Sequence, residues 1–261
     1  MVKQYKYITM RTLYFKFIII LVLLTAGAAN AEGQDADAIL YKMDQIGFSP
    51  KDKQGKVAII LIDKNGNEKV REAMMYQKGP DKKLYRYTKP ESQAGIATLT
   101  LPNSVMWLYL PAFGKPRKIS MLTKDSSFNN TDFSYEDMAT TPFADRFTPE
   151  LVGASGDVFT LILQPKAEKS NYSKIIVRVN KTHGYAELME YFDITGKKFK
   201  EATYRYEKVG QYWNASEVVM KDLEKKHSTK ILITDVKFDQ GLSDDLFLVE
   251  KMNPGETKKG N

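Results

Sequence analysis

The sequence predicts a mainly β fold, an antiparallel barrel or strongly curved sheet built from about ten or eleven strands. Three observations predict it. Apolar and polar residues alternate with period two from Val57 to Phe238, apart from one irregular stretch. Turn signals such as Asn65-Gly66, His183-Gly184 and Thr195-Gly196 separate the alternating runs. No linker, domain break or fixed-period repeat interrupts them, so the runs belong to one domain.

The first element is the exception to the β pattern. Ile39, Leu40, Met43 and Ile46 recur at the spacing of one helix face, with Asp35 and Asp37 near the start and Gly47 at the end. Val57 to Ile62 then turns at Asn65-Gly66 into a partner strand from Glu68 to Gln77. Lys83 to Thr88 places Tyr85 and Tyr87 on one face. Ala97, Leu99 and Leu101 alternate with threonines, and Val105 to Leu110 is apolar on both faces before Pro111 closes it. Arg117 to Met121 is a further short candidate. Thr123 to Gly156 carries little alternation and holds Phe128, Phe133, Tyr135, Phe143 and Phe147 among polar residues. A structureless stretch of that length is unusual inside one domain, and Glu136 to Ala139 and Phe143 to Phe147 are candidate short helices within it. The second half is a meander. Its runs are Phe159 to Leu163, Ile175 to Val179, Tyr185 to Phe192, Ala202 to Glu207, Trp213 to Leu223 and Thr229 to Phe238. Ser243 to Phe247 reads as a short capped helix, and residues 254–261 as a polar, disordered tail.

The N-terminus reads as a secretory signal. Lys3, Lys6, Arg11 and Lys16 precede an apolar run from Phe17 to Leu24, and Ala29-Asn30-Ala31 has the small-x-small pattern of a cleavage site. The apolar run is too short to span a bilayer. Cleavage is expected after Ala31, which leaves residues 32–261 as the exported domain in the periplasm. Without the signal's four basic residues, 35 basic face 32 acidic residues and the net charge falls from +7 to +3. That balance gives no reason to expect nucleic acid. There is no cysteine, which excludes a thiol nucleophile, disulfides and thiolate metal sites. Bacterial lipoproteins are acylated on a cysteine at the cleavage site. Glu32 stands there, so the mature chain is expected to be soluble, unanchored and monomeric.

Signals for chemistry are weak. His183 sits in a hairpin turn and His227 among lysines, each read as an exposed loop residue. Asp132, Glu136 and Asp137 form an acidic cluster that could serve a calcium site or an acid–base pair. No Asp-x-Asp-x-Asp-Gly loop accompanies them, which favours a solvated helix start. Asn214-Ala215-Ser216 matches a glycosylation acceptor by chance. Phosphate loops, Gly-x-Ser-x-Gly and His-Glu-x-x-His are absent. No catalytic residue, cofactor or metal is expected. The aromatic residues around Trp107 to Tyr135 suggest instead a curved sheet whose concave face is too wide to fill, leaving a cavity for hydrocarbon.

Tyr85-Arg86-Tyr87-Thr88-Lys89-Pro90, Gly95-Ile96-Ala97-Thr98-Leu99, Trp107-Leu108-Tyr109-Leu110-Pro111-Ala112, Arg117-Lys118-Ile119-Ser120 and Ser127 to Asp137 follow one another in order. The succession resembles the outer-membrane lipoprotein-sorting (LolA-like) proteins of Gram-negative bacteria. It covers most of the chain after residue 31, with Trp-x-Tyr-x-Pro and Asp-Phe-Ser-Tyr-Glu-Asp as its most specific parts. At Asn129-Asn130-Thr131 the resemblance leads one to expect a glycine before the Asp-Phe-Ser-Tyr run.

The resemblance implies an unclosed antiparallel β-barrel with short helices across its concave face and a hydrophobic cavity between them. It implies a periplasmic carrier for lipoprotein acyl chains or another lipid, loaded by an inner-membrane transporter and unloaded at an outer-membrane acceptor. The cavity residues expected by segment are Trp107, Tyr109, Phe128, Phe133, Tyr135 and Met138. A sensor or adaptor that binds lipoprotein or lipid and regulates a membrane partner is the alternative. A carbohydrate hydrolase using paired carboxylates is a third reading.

Overall fold

The computed structural model describes residues 35–119, 127–168 and 170–253. The expected signal and its expected cleavage site after Ala31, part of the Arg117 to Met121 candidate and the expected tail at 254–261 lie outside the described residues. Helix α1 (Ala36–Phe48) comes first. The strands are β1 (Asp52–Ile62), β2 (Glu68–Lys78), β3 (Lys82–Lys89), β4 (Ala97–Leu101), β5 (Val105–Tyr109) and β6 (Arg117–Lys118). After a one-turn helix α2 (Phe143–Arg146) follow β7 (Phe147–Ser155), β8 (Val158–Pro165), β9 (Lys174–Asn180), β10 (Ala186–Phe192), β11 (Lys198–Val209), β12 (Tyr212–Asp222) and β13 (His227–Phe238).

The thirteen strands form one antiparallel sheet in the order β6-β5-β4-β3-β2-β1-β13-β12-β11-β10-β9-β8-β7. Each strand pairs with its sequence neighbour except where β1 meets β13, so two meanders are joined through that one long-range pair. The edges β6 and β7 do not pair, and the barrel is unclosed, as expected. The described residues from Ala36 onward belong to one compact unit.

The strand count exceeds the expected ten or eleven chiefly through β7. Pro149 and Gly153 punctuate it in sequence like a loop. β7 is an edge strand, where a proline needs no second ladder partner, and its register shifts between Leu151 and Gly153. Glu136 to Ala139 is a turn rather than a helix. Its carboxylates accept from Ser170 and Tyr172 in the distant chain, and Asp137 also accepts from the Ser134 N–H, which closes the turn. Phe143 to Arg146 is helical as expected, and Ser243 caps the turn Asp244–Phe247 by accepting from the Asp245 N–H.

Strand alternation sorts the apolar residues into two layers. On the concave face, Val57, Ala73, Tyr87 and Ile233 pack together in one cluster. Val177, Met189, Ala202 and Met220 continue that face into a larger one. On the opposite face of β3–β5, Leu84, Leu99 and Tyr109 are covered by Phe247 and Met252 of the C-terminal segment. That segment is pinned by the buried Asp52 carboxylate, which accepts from the N–H groups of Gln240, Gly241 and Leu242 at 2.7–3.0 Å. Arg86 on β3 adds a bond from Nη1 to the Met252 carbonyl at 2.9 Å.

Residues 127–142 cross the concave face as a loop. Phe128, Phe133 and Tyr135 are buried in the main core with Met138 packed against them. Asn129 bonds Tyr87 and Thr98, Asp132 bonds Thr229 at 2.7 Å, and Asp137 meets Lys200 at 3.8 Å. Asn129 and Asn130 take φ of +49° and +58°. These asparagines supply the left-handed backbone for which the family resemblance suggested glycine, asparagine being among the non-glycine residues that best tolerate it.

Candidate ligand cavity

The crossing loop fills only part of the concave face. Beside it, beneath α1, lies a cavity of about 250 Å³. Three sets of side chains make its walls. From α1 come Met43, Asp44, Ile46 and Phe48. From β1–β3 come Lys53, Met75, Gln77, Lys83 and Tyr85. From β10–β13 come Ala186, Met189, Tyr204, Tyr206, Trp213, Ala215, Ile233 and Phe238, with Phe143 closing one side. Period-two alternation explains the strand contributions: every second residue of β3 and β11 faces inward. Methionine and aromatic walls suit a flexible apolar ligand, since the thioether adapts to irregular surfaces.

Helix α1 is the roof. Ile39, Leu40 and Met43 are buried on its inner face. Asp44 reaches sideways and accepts from the N–H groups of Phe143 and Ala144, both at 2.9 Å. Burial pushes its carboxyl up from the ordinary carboxylate value, against the opposing pull of those two donors and Arg146. At the C-terminal end, Gln77 Nε2 donates to the Gly47 carbonyl at 3.0 Å. Near the middle, Lys42 Nζ donates to the Thr182 carbonyl at 3.2 Å. These polar contacts and one apolar stripe, with Leu40 fully buried, hold the roof among the described residues.

One row of the floor is polar. Register pairs Lys53 with Gln77 and Gln77 with Lys83, so the three side chains stand side by side on the concave face. Both lysines are half-buried and line the cavity. Burial lowers each to about 8, and the two charges also oppose one another at Lys53. Among the described residues, Lys83 has no acidic neighbour that offsets its burial, and the only such neighbour of Lys53 is the exposed Glu207. Lys53 Nζ lies 5.7 Å from the Phe238 ring centroid. The phenols around the cavity stay neutral: burial pushes Tyr204 to about 12 and raises Tyr85 and Tyr206 further.

The six residues expected to line a cavity fall into two groups, and none of them lines this one. Phe128, Phe133, Tyr135 and Met138 come together as the crossing loop's own filling of the concave face. Phe128 meets Tyr135 edge-on at 5.3 Å and borders the cavity wall at Tyr85. Trp107 and Tyr109 sit on the opposite face, under the C-terminal segment. Tyr109 donates to Asn253 there at 3.0 Å. The wall residues Lys83 and Tyr206 were readable from strand alternation, since they share a face with Tyr85 and with Tyr204.

The acidic cluster is consumed by structure. Asp132 accepts from Thr229, Glu136 from Ser170 and the Asn171 N–H, and Asp137 from the Ser134 N–H and Tyr172. Among the described residues no group of three metal-ligating side chains converges. His183 is not the exposed loop residue expected: it packs on Trp213 and Tyr185 at 4.7 and 5.5 Å. His227 is exposed. Asn214 of the glycosylation-like triplet is fully buried in β12.

An unclosed antiparallel barrel roofed by a helix, with a crossing loop inside, is the LolA-like fold, and comparison with solved structures bears this out. An outer membrane lipoprotein-sorting protein domain from Vibrio parahaemolyticus superposes with a TM-score of 0.76 at 23% identity, covering 84% of this chain and 100% of that one. A DUF1329 family protein from Desulfovibrio piger gives 0.76 at 24% identity, over 82% and 95% of the two chains. A LolA superfamily protein from Nitrosomonas europaea gives 0.69 at 22% identity, over 82% and 97%. Residues 79–254 match the protein family described as "Uncharacterized protein", and the chain belongs to that family. No curated protein matches the sequence.

Proposed function

We propose that this protein is a carrier that shelters the hydrocarbon part of a lipid, or the acyl chains of a lipoprotein, in the cavity beneath α1. The observation that carries this reading is the apolar space between roof and sheet, walled by Met43, Met75, Met189, Tyr206 and Ile233. Burying hydrocarbon there stabilises a complex by roughly 0.8 kcal/mol per methylene. The polar contacts that hold α1 suit a roof that lifts for loading. The signal-like N-terminus supports a periplasmic setting, with an inner-membrane transporter as donor and an outer-membrane acceptor as recipient. Transport of this kind involves no bond-making step, and the carboxylates that might have served one are engaged with the loop.

The test is transfer of a fluorescent acyl lipid between donor and acceptor vesicles. Purified protein is expected to accelerate transfer in proportion to its concentration and to retain lipid detectable by mass spectrometry. Binding without accelerated transfer would favour the sensor or adaptor reading. Absence of both binding and transfer would overturn the carrier reading.

A further inference from the structure

Resting on the carrier reading, we infer that the cavity selects an amphiphile with an anionic head, a carboxylate or a phosphate, held by Lys53 and Lys83 on either side of Gln77. A cavity for hydrocarbon alone needs no cation in its wall, and burying an unpaired charge is costly. Here two lysines from β1 and β3 stand in one cross-strand row of the cavity wall, and among the described residues no ion pair reaches Lys83 and only Glu207 acts against the burial of Lys53. The cavity's own acid, Asp44, is already engaged by the backbone of α2. An anion between the two ammonium groups would relieve their mutual repulsion and their burial together. Gln77 cannot supply the counter-charge, and its amide nitrogen is tied to the carbonyls of Gly47 and Gly79. That tie couples the lysine row to the end of the roof helix, so an anion settling in the row sits where α1 is fastened.

The reading separates two ligand classes. The acylated end of a lipoprotein carries hydrocarbon on neutral ester and amide groups, whereas a fatty acid or a lipid phosphate ends in an anion. Both lysines stay largely protonated at pH 7 with values near 8, and an added anion raises them. Anion affinity is therefore expected to fall as pH rises from 7 to 9.5. Of the other titratable groups near them, Tyr85, Tyr204 and Tyr206 stay neutral through that range, and the acids are Asp44 in the cavity wall and Glu207 beside Lys53.

The experiment displaces the neutral reporter N-phenyl-1-naphthylamine from the full-length exported chain with dodecanoate, dodecyl phosphate, dodecanol and dodecyltrimethylammonium. At pH 7 either anion is expected to displace it at a concentration at least tenfold below that of dodecanol, with the cation weakest. The ratio of dodecanoate to dodecyl phosphate identifies the head. In Lys53→Met/Lys83→Met the advantage of either anion over dodecanol disappears. Lys53→Arg/Lys83→Arg, which keeps the charge, retains it. Equal displacement by dodecanol and both anions in the unsubstituted protein overturns the inference and leaves the carrier reading intact. Failure of the reporter and all four amphiphiles to bind overturns both.

Discussion

The Asp44 carboxylate joins the roof of the cavity to its side wall: it accepts the Phe143 N–H at 2.9 Å and, through its other oxygen, the Ala144 N–H at the same distance. One residue of α1 thereby serves as the cap that α2 lacks locally, since Pro142 precedes that helix and offers no side-chain cap. Removing the carboxylate leaves two N–H donors without their partner. Asp44→Ala is expected to cost about 1–2 kcal/mol in urea unfolding. It should also speed hydrogen exchange in α1 more than in β9–β12, because the roof loses one of its fastenings.

The lysine row predicts how stability depends on pH. Lys53 and Lys83 have folded values near 8 against an unfolded value of 10.5. Below pH 8 both states are protonated and the folded state bears the full cost of the buried charges. Between 8 and 10.5 the unfolded chain binds more protons, so stability rises with pH. Above about pH 10 the buried Tyr85, Tyr204 and Tyr206 act oppositely, because the unfolded phenols ionise first. Unfolding at a series of pH values is expected to show a rise of about 1–3 kcal/mol per lysine between pH 8 and 10, then a decline. In Lys53→Met/Lys83→Met the rise should vanish.

Much of the fold was legible in the sequence, and the site much less so. Period-two alternation and Asn-Gly or Thr-Gly turns placed nearly every strand, since those signals are local. β7 was hidden because Pro149 and Gly153 are penalised inside a sheet and tolerated at its edge. The cavity beneath α1 is walled by residues other than the six expected, for a non-local reason. Phe128, Phe133 and Tyr135 looked like a greasy ligand surface in one dimension, and in three they fill the concave face themselves. Trp107 and Tyr109 could not be assigned a face from alternation, because β5 is covered on both sides, outwardly by a segment more than a hundred residues later. Lys83 was visible two residues before Tyr85 on the same face, but a lysine in a strand ordinarily signals solvent.

The two faces of the sheet predict separable mutants. Phe247 is 3% exposed and packs on Leu84, Leu99 and Tyr109. Phe247→Ala is expected to lower stability by about 3–5 kcal/mol and leave amphiphile affinity unchanged. Ala215→Phe, which adds volume inside the cavity wall, should do the reverse: little loss of stability and at least a tenfold loss of N-phenyl-1-naphthylamine binding. Equilibrium unfolding paired with reporter titration checks both.

The crossing loop makes a backbone prediction. Asn129 and Asn130 hold positive φ in succession. Asn130→Gly should be tolerated within about 0.5 kcal/mol, and Asn130→Val should cost about 1–2 kcal/mol, from strain at a left-handed position. Asn129 contributes in addition hydrogen bonds to Tyr87 and Thr98, so Asn129→Gly is expected to be the more damaging glycine variant. Thermal unfolding of the three variants side by side decides it.

The account depends on hydrocarbon entering the space between α1 and the sheet. Crystals grown with a terminally brominated dodecanoate, measured at the bromine absorption edge, locate the chain end directly. The expected result is an anomalous peak in the cavity among Met75, Met189 and Tyr206, with the carboxylate directed at Lys53 and Lys83. A cavity filled by the protein's own side chains, with bromine only on the surface, would contradict it.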